Sequence, residues 1–403
     1  MKNTIEKLYS ILFILLGLSI PLSIAAANIL VGLIIICWIT EGNLRRKWNE
    51  IKTSKWMISI LFLLVFYCLG IMWGNNHENA ISILQKSSFL LVLIVFATSK
   101  FNQSTLKWGT LLFIFSTLVS AILAILINQE IILPLHNYIP IISSKNTISA
   151  FTTYNYHNIL LAFSSLVCLF LFLEKKVQYR WIPLMCIAIY SFSIFTESGR
   201  AGQLIFILFL GIYSVYYFRK NIIYSIGIIG FLIVCIYSAY QFSDKFKFRI
   251  KEAKMKIQNE IIQTNSKNLH KDQNDIRIVF IKESINYIKK KPILGYGTGS
   301  FGTIFKKEIK SGHEYLIDST PHNTYLYVWF EVGILGLIIL LNIFYFQIKS
   351  LSKLKYNFHR ILLPIGFMII MLFDSYLLSF GILTIFYIYF FTIYNNYKVD
   401  KTT

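Results

Sequence analysis

Charged side chains are scarce in this sequence: they make up 14% of the 403 residues, whereas hydrophobic residues make up 56%. Charged residues make up roughly 25% of a soluble domain, so the composition argues against a soluble domain and indicates a protein embedded in a lipid bilayer. Acidic residues are the scarcest charged class, with 19 Asp and Glu against 39 Lys and Arg. Because zinc-finger spacings and RNA-binding signatures are also lacking, the positive excess does not indicate a nucleic-acid partner.

Cysteine is rare as well, and its positions do not suggest a site. The five cysteines lie far apart, each inside an apolar run, at Cys37, Cys68, Cys168, Cys186 and Cys235. We therefore expect no disulfide and no metal site. An internal repeat is also lacking, whereas many transporters are built from two related halves.

Apolar runs long enough to enter or cross a bilayer recur along the chain. They occupy positions 8–23, 26–39, 56–73, 82–98, 106–127, 157–173, 181–196, 201–218, 222–241, 324–347, 360–376 and 379–395. The first two runs predict a helical hairpin that turns near Pro21. The sequence therefore predicts an all-α fold, a polytopic transmembrane bundle of about 12 helices with one large helical extracytoplasmic loop between helices 9 and 10.

Positive charge is concentrated in alternate connections between these runs. The connection after the second run carries Arg45, Arg46, Lys47, Lys52 and Lys55, whereas residues 74–80 carry no Lys or Arg. Because positively charged connections face the cytoplasm in membrane proteins, this alternation places both termini inside.

One polar segment, residues 243–321, is much longer than the other connections and falls on the outer side. Its first part, 245–262, has apolar residues on one helical face and cations on the other, which predicts an amphipathic helix on the membrane surface. A second helix is predicted from about 275 to 290 and is stopped by Pro292. The predicted domains are a transmembrane bundle at 1–242, the periplasmic loop at 243–321, and further transmembrane helices at 322–403.

Three side chains that could carry chemistry stand at the predicted outer face. Arg200 lies in a very short connection between two membrane runs, where it either binds an anion or acts as an interface arginine that snorkels to lipid phosphate or pairs with Glu197. Arg277 begins the second loop helix, where it either binds an anion together with backbone N–H groups or forms a solvated ion pair with Asp275. His322 precedes the tenth run and can accept a proton near pH 7, although histidine there is also typical of a helix cap.

Three further features are open to two interpretations. The glycine-rich residues 295–299 resemble a phosphate loop only superficially, because no strand precedes them and no helix clearly follows. We interpret them as a flexible turn that returns the loop to the membrane and could line a site. Glu331 and Asp374 lie within apolar runs, where carboxylates are functional candidates, although a hydrogen bond across helices or, for Asp374, closeness to the outer surface would also explain them.

Four motifs together resemble the O-antigen ligase and polymerase superfamily of bacterial glycan-assembly enzymes. These motifs are ESGRAG at 197–202, IR at 276–277 with IKE at 281–283, KPILGYGTGSF at 291–301, and PHN at 321–323. The similarity in layout spans the whole chain, and the combination of motifs is specific although each motif alone is not.

The resemblance implies a membrane glycosyltransferase at the periplasmic face of the inner membrane. Its donor would be a glycan on undecaprenyl pyrophosphate, and it would need neither a metal nor another cofactor. Arg200 and Arg277 would clamp the pyrophosphate, and His322 would accept the proton of the attacking hydroxyl. Substrate contacts would also come from Gly297, Gly299 and Asn323.

The sequence favours an O-antigen ligase, which would transfer the glycan to lipid A–core and would work among membrane lipids. An O-antigen or capsule polymerase of the same superfamily is the nearest alternative, since the two differ only in acceptor. A flippase or transporter of lipid-linked glycan is the alternative from another class. It would be expected to place charged residues along a path through the bilayer, whereas this sequence concentrates polar groups at the outer surface and in one loop.

Overall fold

A computed structural model of the chain describes residues 2–133, 149–174, 178–219, 276–308, 320–376 and 381–396, together with scattered positions between 223 and 251. Side chains are not described at 2–4, 276–279 and 306–308. Most of the predicted amphipathic helix at 245–262 and half of the apolar run at 222–241 lie outside the described residues.

Every regular element in the described part of the chain is a helix, which confirms the predicted all-α class. The helices are α1 (Lys2–Ser19), α2 (Ile24–Glu41), α3 (Leu44–Thr53), α4 (Lys55–Gly70), α5 (His77–Ser88), α6 (Leu90–Thr98), α7 (Gln103–Asn128), α8 (Tyr154–Leu173), α9 (Trp181–Thr196), α10 (Arg200–Tyr217), α11 (Ile276–Lys290), α12 (Ser300–Glu308), α13 (Thr324–Leu351), α14 (Asn357–Ile370) and α15 (Ile382–Asn396). A 3₁₀ turn, Ile71–Trp73, extends α4. The chain turns at 20–23 between α1 and α2, as the hairpin prediction requires.

Seven stretches of the described chain are long and apolar enough to cross a membrane. They are α2, α4 with its 3₁₀ turn, α5 with α6, α7, α8, α10 and α13, while α9 and α14 are apolar but shorter. This is the make-up of a multi-pass membrane protein. The count of about 12 helices, the placement of the large loop, the orientation and the bacterial inner membrane stay predictions.

The chain divides into two compact units by its own contacts. The first unit is Met1–Phe13, Asn28–Lys107 and Asn274–Thr403, and the second is Ile14–Ala27 and Trp108–Gln273. The division predicted from the sequence, at 242 and 321, stays a prediction.

In the first unit, α15 is the most deeply buried helix, with all residues from Ile382 to Tyr394 buried. Its Tyr389 ring stacks on Phe13 at 4.4 Å between centroids, and its Phe391 meets Trp56 edge-on at 5.1 Å. A helix that is apolar around its whole circumference is expected in a core. Helix α13 packs along α4 and also contacts α11 and α14.

In the second unit, α8 packs between α9 and α10 and positions the turn that joins them. The Asn158 side chain of α8 donates to the carbonyl oxygens of Ile194 and Gly199, at 3.2 and 3.3 Å. A Cβ atom on Gly202 would overlap the backbone of Asn158. Glycine is therefore required where α10 crosses α8, because only it permits so close an approach.

Candidate functional site

Arg200 is the first residue of α10, and its side chain is exposed. Among the described residues, no hydrogen bond or ion pair engages its guanidinium. Gly199, at the N-cap, supplies no side-chain cap to the helix. An uncompensated guanidinium therefore lies beside the backbone N–H groups at a helix N-terminus, and both favour an anion.

Glu197 does not pair with Arg200, so the ion pair considered for this motif does not form, while an interface arginine that reaches lipid phosphate stays open. Its carboxylate turns inward and is only 5% exposed. One oxygen accepts from the Ser149 hydroxyl and lies 3.4 Å from the Asn128 amide nitrogen, and the other lies 3.2 Å from His157 Nδ1. The motif thus separates its two charges, with the carboxylate inside the second unit and the guanidinium on its surface.

Two further contacts hold the backbone of this turn. The Gln203 amide donates to the carbonyl oxygens of Ile194 and Glu197, at 3.1 Å each. A Cβ atom on Gly199 would overlap the Asn158 side chain. The turn is therefore packed and hydrogen-bonded on its inner side, which fixes the backbone that carries Arg200.

His322 precedes α13, and its Nδ1 lies 3.2 Å from the Asp374 carboxylate. Both side chains are partly exposed, at 24% and 30%. Asp374 is itself held in place, because its carbonyl oxygen accepts from the Thr324 hydroxyl at 2.9 Å. His322 adopts a φ of 50°, an uncommon conformation for a residue other than glycine. A carboxylate that contacts one imidazole nitrogen fixes the orientation of the ring.

Asn323 caps α13 through its side-chain oxygen, which accepts from the Leu326 N–H at 3.0 Å. Its amide nitrogen donates to the Leu372 carbonyl oxygen at 3.1 Å. Both ends of this side chain are therefore used to join the start of α13 to the chain just before Asp374. The predicted substrate contact of Asn323 is not tested by this geometry and stays a prediction.

Arg277 is the second residue of α11, which begins at Ile276 close to the predicted position, but its side chain is not described. Phe280, three residues later, lies edge-on to His322 with 6.1 Å between ring centroids. Because residues three apart are neighbours on a helix, the backbone of Arg277 is one turn from this contact. The helix end that carries Arg277 thus lies in the same unit as His322 and near it.

The glycine-rich loop is not the flexible turn that the sequence suggested. Helix α12 begins directly after it, at Ser300. The N–H groups of Tyr296 and Gly297 donate to the carbonyl oxygens of Phe330 and Glu331, at 2.8 Å each. The loop is therefore hydrogen-bonded to α13, while its Thr298 N–H donates to the Gly70 carbonyl oxygen of α4 at 3.0 Å.

A break in α13 makes this docking possible. Val332 and Gly333 leave helical geometry, and Gly333 has a φ of 73°. The break exposes carbonyl oxygens that a continuous helix would use internally, and the Ile334 N–H donates instead to the Pro292 carbonyl oxygen at 3.0 Å. The interpretation of residues 295–299 as a turn without a following helix was wrong.

The Glu331 carboxylate caps the loop from within. It accepts from the N–H groups of Gly299 and Phe301, at 2.5 and 2.9 Å, and is fully buried. The sequence left Glu331 open as a functional carboxylate or as a structural hydrogen-bond acceptor. The structure shows the structural hydrogen bonds, which join α13 to the loop. The N–H groups of Gly297 and Gly299 are already engaged inside the protein, so any substrate role would have to use other atoms of the loop.

Sequence reasoning missed the contribution of Ser149 and His157 and did not pair His322 with Asp374. A signal for His157 was present, since it is a titratable residue inside an apolar run. Its partner Glu197 lies 40 positions away, however, and nothing local in the sequence pairs the two.

The helices and the polar groups at their ends define a multi-pass membrane protein, and comparison with known proteins narrows the class. Residues 185–341 match the family model described as O-Antigen ligase, and this range includes Arg200, Arg277 and His322. A Rickettsia conorii (strain ATCC VR-613 / Malish 7) protein that bears the name "putative polysaccharide ligase" is 39% identical over 80 residues. That alignment covers 17% of this chain and 18% of the relative, so it spans less than a fifth of either. The predicted resemblance to the O-antigen ligase superfamily is confirmed over residues 185–341.

Proposed function

We propose that this protein is a membrane glycosyltransferase that moves a glycan from undecaprenyl pyrophosphate to an acceptor hydroxyl at the periplasmic face. The acceptor we favour is lipid A–core, which makes the protein an O-antigen ligase of the inner membrane. The family match supports a ligase-type enzyme, and the roles below rest on the described geometry.

The uncompensated charge of Arg200 carries the proposal. When the bond between sugar and pyrophosphate breaks, negative charge grows on the departing phosphate oxygens. A guanidinium presents forked, permanently charged donors, and the N-terminus of α10 adds backbone N–H groups and a favourable dipole. With Glu197 turned inward, no described carboxylate competes for Arg200.

His322 takes the second role, acceptance of the proton from the attacking hydroxyl. Its contact with Asp374 orients the ring and stabilises the imidazolium that forms, as a carboxylate does for histidine in hydrolase triads. Both the oxygen and the nitrogen of the Asn323 side chain are hydrogen-bonded, so Asn323 is well placed to keep the backbone of His322 fixed. In this account Asn323 acts through His322.

Arg277 would be the second cation of the clamp. Its position near the start of α11, one turn before the ring that meets His322, supports a role on the same substrate. The pyrophosphate linkage stores the energy for transfer, so the reaction needs no nucleotide outside the cytoplasm. Gly297 and Gly299 contribute by allowing the loop between α11 and α12 to dock on α13. Phe280 of α11 contacts both His322 and Phe305 of α12.

Deletion of the gene, followed by separation of the surface glycans on a gel, tests the assignment. A ligase mutant would lose polymer from lipid A–core and accumulate it on the carrier. Core capped with a single repeat would indicate a polymerase instead. Loss of both long polymer and single-repeat capping would indicate a flippase.

Complementation of that mutant tests the residues. Arg200→Ala and His322→Ala should fail to restore the glycan at wild-type protein levels. Arg180→Ala is the matched control, because Arg180 is an exposed arginine at the other end of α9. If Arg200→Ala and His322→Ala both restored wild-type glycan, the proposed site would be refuted.

A further inference from the structure

We infer that Ser149 and His157 act as positioning residues that hold the Glu197 carboxylate away from Arg200, and thereby leave the Arg200 charge available to an anionic substrate. This inference rests on the proposed function for the identity of the anion, a lipid-linked pyrophosphate. The separation of the two charges itself is a property of the second unit.

The spacing of the two charges is the first observation. Glu197 and Arg200 lie three positions apart on either side of Gly199, the N-cap of α10, and the ion pair between them was one of the arrangements that the sequence left open. Here Glu197 is buried while Arg200, three residues later, is exposed and has no partner among the described residues. The sequence left the pair open, and the fold decides against it.

The partners of the carboxylate are the second observation. A buried carboxylate is costly unless donors surround it. Ser149 donates its hydroxyl, and Asn128 points its amide nitrogen at the same oxygen from 3.4 Å. His157 Nδ1 lies within 3.2 Å of the other oxygen and 3.1 Å from the Ser149 hydroxyl. These donors come from segments far from Glu197 in the sequence.

The state of His157 is the third observation. The ring is 1% exposed, and its Nε2 has no hydrogen-bond partner within the described structure. Its described polar contacts are therefore at Nδ1, which lies within hydrogen-bond distance of both the Glu197 carboxylate and the Ser149 hydroxyl. A ring so deeply buried is not positioned to touch substrate, and its role is exerted through Glu197.

Removal of these donors should change the partner of the carboxylate. Without Ser149 and His157, Glu197 would be buried with too few hydrogen bonds, and rotation outward to Arg200 becomes its best alternative. The resulting ion pair would compete with the substrate anion. Competition from an exposed ion pair of this kind should lower the affinity for the substrate anion by up to about fivefold.

Chemical labelling of Arg200 tests the separation directly, without knowledge of the substrate. The purified full-length protein in nanodiscs is treated with phenylglyoxal, and the rate at Arg200 is read by peptide mass spectrometry with Arg180 as internal reference. We expect the double variant Ser149→Ala/His157→Leu to label severalfold more slowly at Arg200. The triple variant that adds Glu197→Gln should recover the wild-type rate, because the competing charge is gone.

Two matched variants exclude a merely structural effect. His157→Asn keeps an N–H donor near the Nδ1 position and should label like the wild type, whereas His157→Leu should not. Glu197→Gln alone should also label like the wild type. If the double variant labelled Arg200 at the wild-type rate, or if Glu197→Gln failed to restore it, the inference would be overturned.

Kinetics link the separation to function. With a polyprenyl-pyrophosphate-linked glycan as donor, Ser149→Ala/His157→Leu should raise KM for the donor by up to about fivefold at unchanged kcat, and Glu197→Gln should reverse the change. A wild-type protein that transfers no glycan would contradict the proposed function, while the labelling result would still decide whether the charges are separated. An active wild type with an unchanged donor KM in the double variant would contradict the inference alone.

Discussion

The backbone N–H of Gly297 donates to the carbonyl oxygen of Glu331 at 2.8 Å, and the Glu331 side chain in turn accepts from Gly299. One residue of α13 therefore binds the glycine-rich loop with its backbone and its side chain. This arrangement requires both the break at Val332 and Gly333 and a loop that can follow it. The loop and the broken helix form one structural element rather than a helix with a flexible connection beside it.

Gly297→Ala should destabilise this element. Gly297 has a φ of 91°, and an added Cβ would overlap the backbone of Gly74. A side chain in left-handed geometry alone costs about 1–2 kcal/mol, and the overlap adds to that. Thermal unfolding in detergent should show a clear drop in Tm. Gly302→Ala, in α12 with its nearest neighbouring atom at 4.0 Å, is the control and should unfold like the wild type.

Glu331→Ala should be destabilising because it leaves two buried N–H groups without an acceptor. Each such group costs about 1–3 kcal/mol. Glu331→Gln keeps one acceptor oxygen, so its loss of stability should be smaller. If both variants were as stable to denaturant as the wild type, the Glu331 carboxylate would not be what holds the loop.

Gly202→Ala should disturb the second unit where α10 crosses α8. Its added Cβ would overlap the Asn158 backbone, and overpacking of this kind costs about 1–3 kcal/mol. Gly211→Ala lies in the same helix with open space around it, and it should be neutral or stabilise by up to about 1 kcal/mol. Equal melting temperatures for the two variants would show that the close crossing is not needed.

Much of the helical layout could be predicted from the sequence because hydropathy and periodicity are local signals. The run at 181–196 coincides with α9, and the stop at Pro292 correctly ends α11 at Lys290. The break in α13 could not be predicted, since Val332 and Gly333 lie within an apolar run that reads as one helix. Whether a kink forms there depends on the loop that supplies replacement hydrogen bonds, a tertiary property.

The candidate site was predictable to a similar degree. Arg200, Arg277 and His322 stood out because cations and histidine are conspicuous beside apolar runs. The sequence also named Asp374, but its contact with His322, like that of His157 with Glu197, arises only when distant segments meet. The choice of Glu197 between Arg200 and His157 is likewise decided by packing, because the local spacing left the pair with Arg200 open.

Asp374→Asn should lower kcat through His322. The substitution keeps an acceptor for the ring but removes the charge that stabilises the imidazolium, so we expect a loss of about 10-fold to 100-fold in kcat. His322→Ala should lose more, about 10²-fold to 10⁴-fold. The double variant should be no worse than His322→Ala, because the two residues act as one unit. Additive losses would mean that Asp374 acts independently of the histidine.

The most direct test of the account is the rate of glycan transfer by purified protein from a polyprenyl-pyrophosphate-linked donor, compared between wild type, Arg200→Ala and Arg180→Ala. If Arg200 stabilises the departing pyrophosphate, Arg200→Ala should lower kcat/KM by about 10²-fold or more, while Arg180→Ala stays near wild type. Transfer by Arg200→Ala at the wild-type rate would contradict the central role given to its uncompensated charge.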